Sequence, residues 1–433
     1  MPSGLPGDRP ARSVDPVRLP DRIWVPGLVG LVLALLFVGA LLVRADGDPS
    51  RLVHAGAPCT TVESLPPLPS CDATVDDPGP AEPIGDDGAR GSLTVQEADQ
   101  AFDGQFFYRL GVAPWSTDAR VAGVQNDLPS LRNARWGYGA LAWVVSGGDP
   151  DLVPWALIAI NVAAAFAVGA VGGGLARSAG RHAAWGALFV LWPGFAYSLS
   201  LDTSELMAGA LLLGGLLALR HQRWVLTGAL LTAAVLTRDT TTVVPFAVAL
   251  AGAIAWVRTR RAPVPERSGL PQLAAGAVPL VAFGGWQLLQ RARFGSLPLT
   301  SSGDNNLSVP LGGFVEQFAK VVVPGDSAEA LRLVSMVGLV ALVAIAGWSV
   351  ARAKAIAPTA EQLAWAGAVA VVVLLNAYLW SGATAFLRAS TEAGLLSILL
   401  ALQFATLRGR AFVATLLGAL WAGTALAQLT KLG

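Results

Sequence analysis

Long apolar stretches separated by short polar connections dominate this chain. The first spans residues 23–43. A helix needs about 20 consecutive apolar residues to cross the hydrocarbon core of a bilayer. The pattern predicts an all-α polytopic membrane protein with about eleven transmembrane helices. The ten further stretches lie at about 152–176, 183–201, 205–220, 224–237, 241–257, 271–290, 330–350, 362–380, 386–406 and 411–430.

Three polar regions interrupt this pattern and divide the chain into a tail and one transmembrane domain, residues 23–433. Residues 1–22 are rich in proline and arginine and predict a disordered cytoplasmic tail. Residues 44–151 are predicted to be a large extracytoplasmic loop, and residues 291–329 a second one.

The first loop is expected to carry two juxtamembrane helices. Thr94 followed by Glu97 is a capping box, so an amphipathic helix is predicted over 94–111. Asp99 and Asp103 would share its polar side and face a cavity, although a surface helix with solvated acids is the alternative. A second helix is predicted over 131–146, which is too short and too aromatic for a span. Its Arg132 and Arg135 would anchor it to lipid headgroups or bind a ligand.

Composition and charge support a membrane protein and assign its sides. Of the 433 residues, 54% are hydrophobic and 14% charged, against about 25% charged in soluble proteins. The net charge of +1 argues against a nucleic-acid partner and leaves the lipid bilayer as the main environment. With the N-terminus inside, every inner loop is basic, as the positive-inside rule requires. These loops hold Arg177, Arg181, Arg220, Arg223, Arg258, Arg260, Arg261, Arg267, Arg352, Lys354, Arg408 and Arg410.

Almost every other charge next to an apolar stretch falls on the outer face, where the short stretches 205–220 and 224–237 would leave a depression below the headgroups. Ionisable groups at membrane depth usually mark a functional site. The set comprises Asp103, Arg109, Arg132, Arg135, Asp202, Glu205, Arg238, Asp239, Arg291, Arg293, Asp304, Arg388 and Glu392.

Each of these residues also has a purely structural interpretation. Asp202 and Glu205 would form a capping box for the fourth span, and Asp239 would cap the sixth. Arg388 and Glu392 are one turn apart and would form an intrahelical ion pair. Independent structural roles do not explain why all of them fall on one side.

The two cysteines, Cys59 and Cys71, lie in the first loop. If that loop is extracytoplasmic, they are expected to form a disulfide; two free thiols are the alternative.

Several short motifs resemble the GT-C glycosyltransferases, polytopic enzymes that use polyprenyl-phosphate sugars and include bacterial relatives of the glycosylphosphatidylinositol and protein O-mannosyltransferases. The first is FDGQFFYRLG, which follows the first span and carries an acidic residue. ARWGYGALAWVVSG, WPGFAYSLSLDTSE, AVLTRDTTTVVP and RFGSLP resemble later loops. The likeness covers about residues 23 to 390, but residues 131–138 depart from the usual pattern of a Tyr-Arg run and a later proline, which leaves the acceptor type open.

The resemblance implies an inverting transfer of a monosaccharide, such as mannose, from a polyprenyl-phosphate donor to a glycan, lipid or protein acceptor outside the cytoplasm. It implies Asp103 as the general base and Arg238, with Arg293 and Arg388 behind it, for the donor phosphate. A single carboxylate suffices because the acceptor hydroxyl loses one proton as it attacks, and arginine neutralises the developing phosphate charge. No cofactor or metal is expected. Sugar or acceptor contacts are assigned to Gln105, Tyr108, Arg109, Arg135, Asp202, Glu205 and Asp239.

Two other classes share these features. A transporter or flippase for a lipid-linked saccharide would have the same charged cavity, but alternating access needs polar groups across the bilayer. A non-catalytic membrane subunit of an envelope-assembly complex would use residues 44–130 to bind a partner.

Overall fold

The computed structural model describes residues 21–56, 93–96, 101–118, 120–260, 269–301, 306–353 and 358–431. Predictions for the tail, for Glu97 and Asp99, for the Cys59–Cys71 disulfide and for Asp304 lie outside these residues. The fold is an all-α assembly with two small two-stranded sheets, β1 (Ala55–Gly56) with β2 (Val95–Gln96) and β3 (Arg120–Val121) with β4 (Val124–Gln125).

Nineteen α-helices occur in the described ranges, joined by 3-10 turns at Pro49–Val53, Ala183–Gly186 and Asp239–Thr242. The first half holds α1 (Trp24–Arg44), α2 (Gly104–Val112), α3 (Pro129–Ala134), α4 (Trp136–Ser146), α5 (Val153–Ser178), α6 (Ala187–Val190), α7 (Gly194–Ser200), α8 (Glu205–Arg220), α9 (Trp224–Thr237) and α10 (Val243–Arg260). The second half holds α11 (Gly269–Phe294), α12 (Pro298–Ser301), α13 (Gly312–Val321), α14 (Ser327–Arg352), α15 (Ala360–Val373), α16 (Ala377–Trp380), α17 (Ala383–Ala389), α18 (Thr391–Phe404) and α19 (Leu407–Lys431).

These helices make the chain a polytopic membrane protein, but the count of eleven spans is not confirmed. Among the described residues, six helices are long and apolar enough to cross a bilayer, or seven if α17 and α18, bent by 60°, form one broken span. The six are Trp24–Arg44, Val153–Ser178, Asp239–Arg258, Gly269–Phe294, Ser327–Arg352 and Leu407–Lys431. Other predicted spans are shorter or broken, as at 183–201, where Pro193 separates α6 from α7.

The predicted helix over 94–111 is wrong at residues 94–96 and 101–103, and residues 97–100 lie outside the described ranges. Thr94 does not cap a helix; its hydroxyl donates to Asp48, and Val95–Gln96 pairs in parallel with Ala55–Gly56. The helix begins only at Gly104. A Cβ at this glycine would collide with the carbonyl oxygens of Val53 and Leu201, so the loop and the core can meet only at this residue type.

The predicted helix over 131–146 is two helices, α3 and α4, that meet at Arg135. Two tryptophans hold this joint in place by hydrogen bonds to the backbone. Trp286 Nε1 donates to the carbonyl of Ala134 at 3.0 Å, and Trp136 Nε1 donates to that of Pro114 at 3.2 Å. The break therefore places Arg135 at the joint between the two helices.

Small residues bring the first span close to α5. A Cβ at Gly30 would collide with the carbonyl of Ala165, and one at Gly169 would collide with that of Pro26. Such close backbone contact is how helices associate in a bilayer, where apolar burial alone gives no driving force. The contact places the start of the first loop above the core formed by α5 to α8.

Candidate functional site

A continuous network of ion pairs joins five parts of the chain at one end of the helices. It links the start of α2, the α3–α4 joint, the start of α8, the 3-10 turn at Asp239–Thr242 and the α17–α18 bend. Its members are the carboxylates of Asp103, Asp127, Glu205, Asp239 and Glu392 and the guanidinium groups of Arg132, Arg135, Arg238 and Arg388. Eight of the thirteen charges that the sequence analysis grouped therefore meet in this network.

Asp103 stands at the accessible edge of the network, with 23% of its side chain exposed. It occupies the residue before α2 but does not cap the helix with its side chain. Its oxygens instead accept from Arg132 Nη1 at 2.6 Å and Arg388 Nη2 at 2.9 Å, and Arg135 Nη1 lies 3.8 Å away. Burial by itself would raise the pKa of Asp103, but these three charges outweigh it and hold the pKa well below the ordinary value.

Glu205 forms the buried floor of the network, and its side chain is fully inaccessible. One oxygen receives both Arg238 Nη1 at 2.6 Å and Arg388 Nε at 2.8 Å. The other accepts from the hydroxyls of Thr203 and Ser198. Every acceptor position of this carboxylate is thus directed at protein, as buried charges require.

Arg238 is held by three acceptors and is 6% exposed at its side chain. Besides Glu205, it contacts Glu392 Oε1 at 3.2 Å and the carbonyl of Arg388 at 2.7 Å. The intrahelical pair between Arg388 and Glu392 is therefore wrong: the chain bends between them, and each residue pairs with another element.

Arg135 and Asp239 form the loose rim of the network. Their side chains are 25% and 24% exposed, and Arg135 Nε lies 3.5 Å from Asp239 Oδ1. Neither of these two buried atoms has a hydrogen-bond partner among the described residues. These two side chains are therefore more exposed and less tightly paired than those of Glu205 and Arg238.

Asp202 is buried and both of its carboxylate oxygens lack a partner in the described part of the chain. The capping-box interpretation is therefore wrong, because α8 has no side-chain cap. The residue also adopts a left-handed backbone conformation with φ of 45°, which is uncommon outside glycine. Burial raises the pKa of Asp202 well above its ordinary value.

Three residues assigned to sugar or acceptor contacts are buried inside the loop. Gln105 accepts the Gly56 N–H at 3.2 Å, and Tyr108 is fully inaccessible. Arg109 donates to the Asp118 carbonyl at 2.6 Å, and burial lowers its pKa to about 10. All three pack within the loop instead of lining the exposed rim.

Arg293 lies outside the ion-pair network, beside a cluster of three tryptophans. Its Nη2 donates to the Trp115 carbonyl at 2.7 Å, and its buried Nη1 has no hydrogen-bond partner among the described residues. Trp115, Trp136 and Trp286 have ring centroids 4.8 to 6.4 Å apart, and Trp115 is 56% exposed. Arg293 therefore contacts the tryptophan cluster at Trp115. Arg135 is also next to this cluster, because it immediately precedes Trp136 in the chain.

The sequence analysis missed Asp127, and it placed Arg132 and Glu392 among the charges of the site without identifying their partners there. Both carboxylate oxygens of Asp127 accept hydrogen bonds from Arg132, at 2.9 and 3.0 Å, and these bonds orient the guanidinium group toward Asp103. Asp127 stands in a polar loop where nothing in the sequence distinguishes it. Arg132 and Glu392 belonged to the outer charges and were recoverable from that pattern.

Comparison of the chain with protein-family models, curated proteins and solved structures gives no match. The likeness to GT-C enzymes therefore depends on the short motifs quoted above, and family membership stays a prediction.

Proposed function

We propose that this protein is an inverting membrane glycosyltransferase of the GT-C type, which uses a polyprenyl-phosphate sugar on the extracytoplasmic face. The observation that carries the proposal is Asp103, a partly exposed carboxylate that three arginines orient at the rim of a buried ion-pair network. One ionised carboxylate beside cations is the minimum that this transfer needs.

In the proposed reaction, the acceptor hydroxyl oxygen attacks the anomeric carbon and its proton passes to Asp103. The bond between that carbon and the phosphate oxygen breaks, and the electron pair leaves with the polyprenyl phosphate. The charge gained by the leaving group is balanced by guanidinium groups. Because the attack comes from the face opposite the leaving group, the anomeric configuration inverts.

Arg135 and Arg293 are better placed to bind the donor phosphate than Arg238 and Arg388. Neither Arg135 Nε nor Arg293 Nη1 forms a hydrogen bond with a described residue, although Arg135 Nε lies 3.5 Å from Asp239 Oδ1. Arg238 and Arg388, in contrast, both donate hydrogen bonds to the buried carboxylate of Glu205. The network also has five carboxylates against four guanidinium groups, so by itself it does not attract an anion. Arg293, which lies outside the network, supplies a positive charge that offsets this excess of carboxylates.

Donor binding would also make Asp103 a better base. In the free protein its low pKa keeps it ionised but weakly basic. A phosphate that engages Arg135 draws one of these charges away from the carboxylate, and the pKa of Asp103 rises. The base is then strongest when the donor is bound, which limits proton transfer to the loaded enzyme.

We also propose that the eleven apolar segments cross the cell membrane, with the N-terminus in the cytoplasm and residues 44–151 on the extracytoplasmic side. The basic inner loops support this orientation. Helices α8, α9 and α10 each run between the ion-pair network and the opposite, basic end of the protein.

The same three helices weigh against a transporter. Between their terminal residues, α8, α9 and α10 contain no ionisable side chain except those of the last turn of α10. An alternating-access path for a polar saccharide needs polar groups along its length. A scaffold subunit, in contrast, gives no reason for a carboxylate to remain accessible at the rim.

The test is sugar transfer by the purified protein from a panel of radiolabelled polyprenyl-phosphate sugars to extracted envelope acceptors. We expect donor-dependent labelling with inverted stereochemistry, and reduced donor affinity in Arg135→Ala and Arg293→Ala. Movement of the intact donor across proteoliposomes without transfer would assign the protein to the transporters. Neither transfer nor transport with any donor would favour the scaffold.

A further inference from the structure

The end of the protein opposite the ion-pair network contains a cavity of about 780 Å³. It lies between the last turns of α5, α8, α10 and α18 and the first turns of α11 and α15. Helix α8 connects the two ends: Glu205 begins it and Arg220 ends it. At 1.5 Å per residue these positions are about 22 Å apart, so the cavity and the candidate active site lie at opposite ends of α8.

One wall of the cavity is a neutral, fixed ion pair. Arg220 Nε and Nη2 donate to the two oxygens of Glu361 at 2.6 and 2.8 Å. Its remaining Nη1 donates to Ser178 and to the Leu175 carbonyl, and Gln403 donates to Glu361. This pair shapes the wall but has no charge left for a ligand.

The mouth of the cavity, by contrast, carries cationic and donor groups that face solvent. Arg258 and His221 line it and are exposed, and Arg258 forms no ion pair with any residue that the structure describes. Behind them the wall is apolar, formed by Ile254, Ala255 and Phe404. A charged mouth above an apolar wall matches an amphiphile with an anionic head.

A second cavity of about 470 Å³ repeats this arrangement on the other side of Phe404. It is mostly apolar and has Arg352 at its edge, with the guanidinium carbon 4.7 Å from the centre of the Trp348 ring. Both cavities lie at the same end of the protein, and each has apolar walls with an arginine at its edge. These are the features that a lipid-binding surface requires.

We propose that the larger cavity binds an anionic phospholipid, with the headgroup phosphate at Arg258 and His221 and an acyl chain along Ile254 and Phe404. The apolar wall selects a lipid over a free phosphate ion, which would leave that surface in water. This site is independent of sugar transfer. It would hold together the ends of α10 and α15 that line this cavity.

The experiment is native mass spectrometry of delipidated full-length protein with phosphatidylglycerol or phosphatidylcholine. We expect preferential retention of phosphatidylglycerol and about five-fold weaker binding in Arg258→Ala, the loss of about 1 kcal/mol for one cation near an anionic headgroup. Arg258→Gln should behave alike, and thermal unfolding checks that both variants are folded. Arg223→Ala, an exposed arginine outside the lining, should bind as wild type.

Three results would overturn the proposal. Equal retention of the two lipids would show that the headgroup charge is not recognised. Equal losses in the Arg258 and Arg223 variants would show only general attraction to a basic face. Full displacement of phosphatidylglycerol by millimolar inorganic phosphate would assign the cavity to a free anion.

Discussion

Replacing Arg238 should destabilise the protein much more than replacing Arg135, although both arginines belong to one network. Arg238 is nearly inaccessible and contacts Glu205, Glu392 and the Arg388 carbonyl within 3.2 Å. Arg238→Ala would leave Glu205 with one cationic partner and Glu392 with none among the described residues. Removing one partner of a buried ion pair costs about 3–5 kcal/mol, because the other charge remains buried.

The shift in melting temperature follows from the size of the chain. With 433 residues and an unfolding entropy of about 2.1 cal/mol/K per residue, each degree corresponds to about 0.9 kcal/mol. Arg238→Ala should therefore lower Tm by about 3–6 °C. Arg135 is a quarter exposed and its ion-pair distances are 3.5 and 3.8 Å. Pairs of this kind contribute about 0–1 kcal/mol, so Arg135→Ala should shift Tm by about 1 °C or less.

Thermal unfolding of the two variants in the same detergent, followed by intrinsic fluorescence, measures both shifts. Donor affinity should change in the opposite order. The Arg135→Ala protein should bind the donor more weakly, and the folded fraction of the Arg238→Ala protein should bind it nearly as well as wild type. Equal shifts in Tm, or a stable Arg238→Ala protein that has lost donor binding, would refute the division into a buried floor and an accessible rim.

Three further predictions concern other parts of the molecule. Gly104→Ala should cost about 1–3 kcal/mol by overpacking, whereas Gly39→Ala, with open space around it, should not lower Tm; equal effects would refute the close contact. Because the free enzyme holds the pKa of Asp103 low and the donor raises it, kcat should fall on acidification at a higher pH than kcat/KM; coincident acid limbs would contradict this. Cys59 and Cys71 should resist alkylation under non-reducing conditions, as intact mass will show, and two alkylated thiols would refute the disulfide.

The sequence was enough to predict which charged residues lie together in the site, but not which carboxylate pairs with which arginine. Side alternation and basic inner loops were enough to bring Asp103, Glu205, Arg238 and Arg388 to one end. Which carboxylate each guanidinium contacts depends on helix rotation and on the bend before Thr391, and neither has a local signal. For the same reason, the sequence did not reveal that Arg238 is buried and paired with Glu205 and Glu392.

The first loop shows a second limit of local reasoning. The spacing of apolar residues and the Thr94 capping signal favoured a helix, but pairing with a strand about 40 residues earlier competes with it. Gly104 marked the true start, because only a residue without a side chain fits between Val53 and Leu201. Long-range contacts decided the boundary, and a single sequence does not reveal them.

The most direct measurement is sugar transfer by Asp103→Asn protein, with Asp46→Asn, a 92% exposed carboxylate of the same loop, as the matched control. If Asp103 is the base, kcat should fall about 10² to 10⁴-fold. KM for the donor should not rise, because the substitution releases guanidinium groups instead of removing them. Folded Asp103→Asn protein that transfers sugar within a few-fold of the wild-type rate would contradict the central proposal.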